Sequence, residues 1–351
     1  VSSTEDFFNL LDLIGAEGVN AFTSFDVTAY HNSFPEAEMY RWLTIFSDRL
    51  IDPVFRTFQA ELENVFEEYN MYANNPSSQA SKQLMQDIYK GSPYERDVIG
   101  HPEHLKNPRL SKLIEFYNTW YVPNNMALIL VGDFDAEAAK PMIAETFSRL
   151  QPKELPARPS YPEVQLTGSK HYNLGYSPQI AWVYPGVKAN DPEQEVLEFV
   201  CNLLSNGQTG LLDKITIDGE VQYAGVGLDA RRNTGRIIIQ AVPYYDANQQ
   251  MFESDKATEK IVMKEIDKIK AGEISDEMIA SLKRMYAQSY KVANESSESK
   301  MNWLLSAFMY NMPLEQVLNA NDHIQALTKE EIVRVAKKYF NQDHMTISFD
   351  E

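Results

Sequence analysis

The sequence predicts an α+β fold made of a tandem repeat of two-layer α/β sandwich domains. Two observations support this class: runs of apolar residues with helical spacing are segregated from short β-branched and aromatic strands, and the two halves of the chain share one pattern. Four prolines within 151–162 indicate a semi-rigid extended linker. We therefore expect a first domain over 1–150, a proline-rich linker over 151–166 and a second domain over 167–351.

The first half begins with a short helix and a hairpin. Residues 4–14 have helical apolar spacing, follow hydroxyl residues that can cap a helix, and end at Gly15. Two β-branched and aromatic stretches, 19–25 and 27–34, surround a turn and predict the hairpin. The other predicted elements of this half are helices over 36–51, 54–72, 79–89, 110–121 and 136–150, and a strand over 126–131.

The second half has the same mixture of elements beyond the linker. Its predicted strands are 170–174, 179–184, 221–228, 235–242 and 345–349. Its predicted helices are 191–204, 211–217, 248–271, 275–293, 301–309 and 328–340.

The two halves end with one repeated pattern at an offset of 219 residues, from His104 to His323. The matched pairs are Leu105 with Ile324, Leu113 with Ile332, Phe116 with Val335, Trp120 with Tyr339, Tyr121 with Phe340 and Met126 with Met345. This pattern indicates a duplicated domain. Two strands and a helix precede the hairpin of the second copy, whereas one short helix precedes the hairpin of the first. We therefore expect the first copy to be truncated at its N-terminus and to have an unpaired sheet edge.

Composition excludes several classes of function. The 351 residues are 44% hydrophobic, enough for more than one buried core. Fifty acidic residues against 32 basic ones give a net charge of −18, so the chain would repel a nucleic acid. The longest apolar runs are too short to span a bilayer. Cys201 lies in an apolar helical run without the His and Asn pattern of a cysteine nucleophile, so we expect it to be buried.

Three short motifs belong together. The predicted first hairpin reads NAFT at Asn20, Ala21, Phe22 and Thr23, and continues to Asp26, Thr28 and Tyr30. A later helix carries Glu61, Val65 and Glu68. Residues 120–126 read WYVPNNM and lead into VGD at 131–133. In combination these motifs resemble the M16 (pitrilysin or insulinase-like) zinc metallopeptidases and the related mitochondrial processing peptidase.

The resemblance implies roles for the two glutamates. A catalytic zinc ion has three protein ligands and one water, which the metal makes acidic enough to attack a peptide carbonyl. In the family, an HxxEH helix supplies two histidine ligands and the general base, and the distant glutamate supplies the third ligand. By resemblance Glu68 is this metal ligand and Glu61 a second carboxylate that orients a ligand. The seven-residue spacing places both on one helix face, and a solvated acidic face remains the alternative.

The histidines depart from the family pattern. None of the six histidines lies in an HxxEH arrangement. His101 and His104 form an HxxH pair that we predict to be structural and to lie in a loop. We therefore expect zinc as a cofactor of an intact parent, not bound tightly by this chain. We also expect the general base to lie upstream, so that these 351 residues contain no catalytic residue.

The hairpin edge is the predicted peptide-binding site. A strand with free N–H and C=O groups can accept an extended peptide as an additional strand. The resemblance assigns this role to Asn20, Ala21, Phe22 and Thr23. Tyr223 is similar to a substrate-contacting tyrosine of the family's second domain, although Thr216 stands where the family has an arginine. An ordinary strand aromatic remains the alternative for Tyr223.

The sequence therefore predicts a fragment of an M16-like zinc-dependent metalloendopeptidase, inactive by itself because HxxEH is absent. Its expected partners are peptides or unfolded polypeptides, and further M16-like domains or a partner protomer, with neither nucleic acid nor a membrane span. The alternative is a non-catalytic M16-like peptide-binding or partner subunit. The absence of disulfide pairs discriminates weakly between compartments, and we slightly favour a bacterial periplasmic or extracytoplasmic location over the cytoplasm.

Overall fold

The computed structural model describes residues 4–175 and 178–350. They divide into two compact units. Unit 1 comprises the residues up to Asn74 together with Arg96–Tyr161, and unit 2 comprises Asn75–Glu95 together with the residues from Pro162 onward. The segment 75–95, which the sequence analysis placed in the first domain, therefore packs as part of unit 2.

Up to the linker the chain forms seven α-helices and one hairpin among the described residues. In chain order they are α1 (Thr4–Leu13), β1 (Glu17–Thr23), β2 (Thr28–Ser33), α2 (Met39–Ile51), α3 (Phe58–Ala73), α4 (Pro76–Ile88), α5 (Pro102–Lys106), α6 (Leu110–Trp120) and α7 (Ala136–Phe147). The predicted helix at the start and the predicted hairpin are confirmed. The hairpin strands β1 and β2 pair in antiparallel register, with Ala21 opposite Tyr30 and Thr23 opposite Thr28.

The core of unit 1 lies between α1, α2 and α7. Phe7 and Leu11 on α1 pack with Trp42 and Phe46 on α2, and Ala139 of α7 belongs to the same cluster. These positions repeat at helical spacing, so each helix buries one apolar stripe. Burying such a side chain stabilises the fold by roughly 1.5–3 kcal/mol.

The predicted strand at 126–131 is wrong, because the structure assigns these residues to no strand. A strand is stabilised by ladder hydrogen bonds, which an apolar sequence cannot supply by itself. In the described part of unit 1, β1 and β2 pair only with each other.

Unit 2 contains the larger sheet. Its elements after the linker are β3 (Ser169–Asn173), β4 (Gln179–Pro185), α8 (Gln194–Leu204), α9 (Leu211–Ile217), β5 (Tyr223–Ala230), β6 (Gly235–Val242), β7 (Tyr245–Asp246), β8 (Met251–Phe252), α10 (Asp255–Ala271), α11 (Asp276–Glu295), α12 (Ser297–Tyr310), α13 (Leu314–Leu318), α14 (Ala320–Ala326), α15 (Lys329–Phe340) and β9 (Met345–Asp350). The five-stranded sheet has the order β3-β9-β4-β6-β5, in which β3 and β9 are parallel and the other neighbours antiparallel. The α+β class is confirmed.

The sheet of unit 2 is covered on both faces. Trp182, Ile237 and Ile239 belong to one core cluster with α8, α10 and α15. Ala181 and Val183, which point the other way, pack with the apolar stripe of α4. Strand β4 is consequently buried along almost its whole length, which explains why it reads as a continuous apolar run rather than an alternating one.

Polar contacts hold the segment 75–95 on this sheet. The Tyr89 hydroxyl donates to Asp229 over 2.7 Å. Lys170 lies 2.5 Å from Asp87, and the Tyr172 hydroxyl donates to the same carboxylate over 2.8 Å. Because Asp87 is buried, these two partners compensate the carboxylate for the hydration that it loses.

Helix α10 begins later than predicted, at Asp255 rather than 248. Ser254 caps it by accepting from the Ala257 backbone N–H, and the residues before the cap include β8, which pairs with β7. The short helices α13 and α14 were not predicted. In the part of the chain that the structure describes, no helix is both long and apolar enough to cross a membrane.

Candidate functional site

Strand β1 presents one edge without a strand partner among the described residues. The Ser24 N–H donates to the Val27 carbonyl across the turn, over 2.8 Å. Because bonding alternates along an antiparallel pair, Phe22 then directs its backbone groups to β2, and Ala21 and Thr23 direct theirs outward. The Ala21 N–H accordingly donates to the neighbouring Asn20 side chain over 2.8 Å and not to β2.

The four NAFT residues are all exposed, as the sequence predicts for an edge. Asn20 and Phe22 share one face of the hairpin, and the Phe22 ring lies 6.2 Å from that of His31. Ala21 lies on the other face, next to Tyr30. The Thr23 and Thr28 hydroxyls are 3.1 Å apart and fix the end of the hairpin.

A cavity of about 300 Å³ lies against β1 within unit 1. Its lining combines aromatic rings of α1 and β2, backbone and side chains of β1, and the end of α2 with the residues that follow. The lining residues are Phe7, Phe8, Val19, Asn20, Ala21, Tyr30, Arg49, Asp52, Pro53 and Val54.

Arg49 is the cation of this cavity. Its guanidinium carbon lies 4.4 Å from the Phe7 ring centroid and 4.6 Å from that of Tyr30, distances at which cations interact with ring faces. Partial burial lowers the pKa of Arg49, but an arginine stays charged at any physiological pH. The cavity therefore contains a permanent positive charge.

Tyrosines order the surroundings of Arg49. The Tyr30 and Tyr121 hydroxyls are 2.7 Å apart, and the Tyr117 hydroxyl donates to the Leu50 carbonyl over 2.7 Å. Burial raises the pKa of Tyr117 to about 12 and also raises that of Tyr121, so both phenols stay neutral. Neutral phenols therefore do not compensate the charge of Arg49.

Glu61 and Glu68 lie on α3, as predicted. Both are exposed, and no residue of this helix is buried. In the described residues no three His, Cys, Asp or Glu side chains come together in a group that could hold a metal ion. Because a tight zinc site needs three protein ligands, these residues do not fit zinc.

The HxxH pair has a structural role at its first position. His101 caps α5, its Nδ1 accepting from the Glu103 backbone N–H over 3.4 Å. His104 lies within α5, so the predicted loop at this position is wrong. The cap at His101 and the helical position of His104 account for this pair as part of α5, so a metal is not needed to explain it.

Tyr223 and Thr216 lie in unit 2. Tyr223 is 49% exposed at the start of the edge strand β5. The Thr216 hydroxyl accepts from the Ala224 backbone N–H of β5 over 3.0 Å. Thr216 therefore caps a donor of this edge strand, which explains why a short hydroxyl side chain fits at this position.

Comparison with known proteins identifies the family. Residues 1–101 match the family model described as insulinase (peptidase family M16), and residues 109–286 match the one described as peptidase M16 inactive domain. The chain belongs to peptidase family M16. The predicted family is thereby confirmed.

Individual relatives agree with this M16 membership. The chain is 22% identical over 340 residues to the zinc protease PqqE of Helicobacter pylori, an alignment that covers 94% of this chain and 75% of that protein. A crystal structure of a protease from Helicobacter pylori matches with a TM-score of 0.86 and 20% identity, over 100% of this chain and 86% of that one. The periplasmic protease PqqL from Escherichia coli matches with a TM-score of 0.76 and 18% identity; 97% of this chain corresponds to 40% of PqqL.

Two residues need separate mention in this M16 chain. No sequence motif assigns a role to Arg49. This residue continues the stripe of Trp42 and Phe46 along α2, where an apolar residue is expected. That position was the available signal. Cys201 is buried as predicted, and burial raises the pKa of its thiol, which removes the thiolate that a nucleophile requires.

Proposed function

We propose that this chain is the peptide-docking part of an M16-type peptidase and that it binds an extended peptide as an additional strand on β1. The observation that carries the proposal is the outward direction of the Ala21 and Thr23 backbone groups, on an edge to which no strand within 4–175 or 178–350 pairs. Such an edge binds the main chain of a peptide irrespective of its sequence. The substrate class is therefore peptides and unfolded segments, whose backbone groups are free to pair.

The Asn20 side chain accepts from the Ala21 N–H until a peptide replaces it. This local bond satisfies the outward donor of Ala21 and protects the edge from pairing with other chains. A docking peptide exchanges this bond for a ladder bond, so the exchange costs little.

In this proposal the chain does not hydrolyse peptides by itself. None of its six histidines lies in an HxxEH arrangement, and its described residues do not form a metal site. Glu68 keeps the proposed role of one metal-binding carboxylate, with Glu61 beside it, and Tyr223 that of a peptide contact in unit 2. The periplasmic PqqL supports an extracytoplasmic location.

A non-catalytic partner subunit is the second candidate. The departure at Thr216 favours it, because the family's second domain has a substrate-contacting arginine at this position. Both candidates bind peptide through β1, and they differ only in whether an assembly that includes this chain cleaves a quenched peptide when zinc is supplied.

The test uses an eight-residue fluorescent peptide with alternating small and large side chains. Because alternate side chains point to opposite faces of a strand, this pattern determines which backbone edge of the peptide faces β1. Two variants carry N-methyl groups on alternate amides, one set on each edge of the peptide. N-methylation on the edge that faces β1 is expected to weaken binding at least tenfold in fluorescence anisotropy, because it removes ladder donors. Methylation of the opposite edge is the matched control and should leave binding unchanged.

Equal effects of the two methylated sets would contradict strand addition. The same mixtures, followed by mass spectrometry with and without Zn²⁺, should contain intact peptide. Zinc-dependent cleavage by the 351-residue chain would contradict its proposed inactivity.

A further inference from the structure

We propose that the cavity against β1 is a subsite for the carboxylate of an Asp or Glu side chain of the docked peptide, with Arg49 as its partner. This inference rests on the proposed peptide docking and adds a preference for one class of side chain. It makes the M16 chain selective for extended peptides with an acidic residue at one position.

The charge of Arg49 is uncompensated within the described residues. Its contacts there are with the Phe7, Tyr30 and Phe46 rings, and no described carboxylate forms an ion pair with it. Asp52 lines the same cavity but is exposed and forms no ion pair with Arg49. The ring contacts leave the in-plane N–H donors of the guanidinium for a planar acceptor such as a carboxylate.

The position of the cavity matches the geometry of an added strand. Ala21 and Tyr30 share one face of the hairpin, and both line the cavity. Because alternate side chains of a strand point to the same face, a peptide paired with β1 directs every second side chain to this side. One of these side chains then reaches the cavity beside Asn20 and Ala21.

Because the chain has a net negative charge, a preference for an acidic peptide would indicate a local positive site. At −18 the overall field opposes an acidic ligand, so a preference for a carboxylate must arise locally. A partly buried guanidinium forms stronger charge-assisted hydrogen bonds than an exposed one, because the surrounding rings replace water. The aromatic walls also accommodate the methylene groups of a glutamate.

The experiment compares two N-acetylated, C-amidated peptides that differ only by Glu or Gln at the central position facing the cavity. We expect the Glu peptide to bind about tenfold more tightly at 0.15 M salt, as a charge-assisted hydrogen bond allows. Arg49→Met, which keeps the apolar stem and packing, should make the two affinities equal. Arg41→Met is the matched control on α2, since Arg41 is 71% exposed and paired with Glu38; it should retain the preference.

The outcomes distinguish failure of the proposed carboxylate subsite from failure of the proposed peptide docking on β1. Equal binding of the two peptides to the unmodified protein overturns the subsite and leaves strand docking intact, and this comparison does not depend on the folding of any variant. Failure of both peptides to bind overturns the docking itself. A third peptide with Gln and a free C-terminus tests the other source of a carboxylate: if only this peptide binds more tightly, the side-chain assignment is wrong.

Discussion

Gly235 shows how a single residue determines the packing of the unit 2 sheet. A Cβ at this position would lie 1.7 Å from the Val187 carbonyl oxygen, and backbone atoms cannot yield as a flexible side chain can. The close approach also allows the Gly186 N–H to donate to the Gly235 carbonyl over 3.0 Å. Only glycine therefore fits at the start of β6.

Gly235→Ala should lower the free energy of unfolding by about 3 kcal/mol or more, because overpacking against backbone forces the strand to move. Urea denaturation measures the change. The control is Gly227→Ala in the neighbouring strand β5, where a Cβ would meet no atom within 4 Å. That variant should stay within about 1 kcal/mol of the parent, and equal losses in both variants would contradict the role of the close approach.

Among the site residues, the sequence predicted those whose function depends on backbone position. The NAFT residues lie on a hairpin strand because β-branched and aromatic residues on both sides of a turn favour a hairpin, which is a local signal. The position of Arg49 on an apolar stripe does not by itself predict its role, because the long side chain of an arginine can extend from such a stripe to solvent. Its contacts with Phe7 and Tyr30 depend on tertiary packing of three elements.

At the scale of elements, Glu193 joins α8 to α15 in unit 2. Its carboxylate is 2.6 Å from Arg334 and accepts from the Tyr339 hydroxyl over 2.7 Å, and Lys338 completes the group. Burial alone would raise the pKa of Glu193, but the hydrogen bonds from Lys338, Tyr339 and Arg334 outweigh it and lower the pKa to about 2. The folded state therefore favours the charged carboxylate.

Glu193→Gln should reduce the stability at pH 7 by about 1 kcal/mol, because solvent screens the half-exposed partners Arg334 and Lys338. A carboxyl group with a lowered pKa in the folded state stabilises it above the unfolded value of 4.5, and this contribution is lost as the pH falls towards 2. The stability difference between parent and variant should therefore shrink across this window. Glu330→Gln, at an exposed position of α15, is the control, and a pH-independent difference for Glu193→Gln would contradict the assigned charge network.

The elements themselves show why part of the fold was predictable. Helices α6 and α15 have the same apolar pattern but differ in burial. On α15, Ile332 and Val335 are fully buried. The corresponding residues of α6, Leu113 and Phe116, are 36% and 55% exposed. Strand β4 and helix α8 pack beside α15, and the described part of unit 1 has no counterpart of them. Local periodicity thus predicts that a segment is helical. It does not predict which elements bury a helix or which strands complete a ladder, because these depend on tertiary packing.

At the scale of the whole molecule, two compact units and two family-model matches agree with membership in family M16. The proline-rich stretch was a usable signal for a division of the chain. A single boundary at the linker could not predict that 75–95 belongs to unit 2. The apolar stripe of this segment packs on a sheet whose strands lie almost a hundred residues further along the chain. The continuous apolar sequence of β4 was the signal for a second covered face.

Amide hydrogen exchange can show whether β1 of this M16 chain docks a peptide through its outward edge. With saturating peptide, the Ala21 and Thr23 amides should exchange at least tenfold more slowly, because ladder hydrogen bonds protect them. The Phe22 amide, which already faces β2, is the internal control and should change little. Unchanged exchange at Ala21 and Thr23 in the presence of demonstrably bound peptide would contradict the claim.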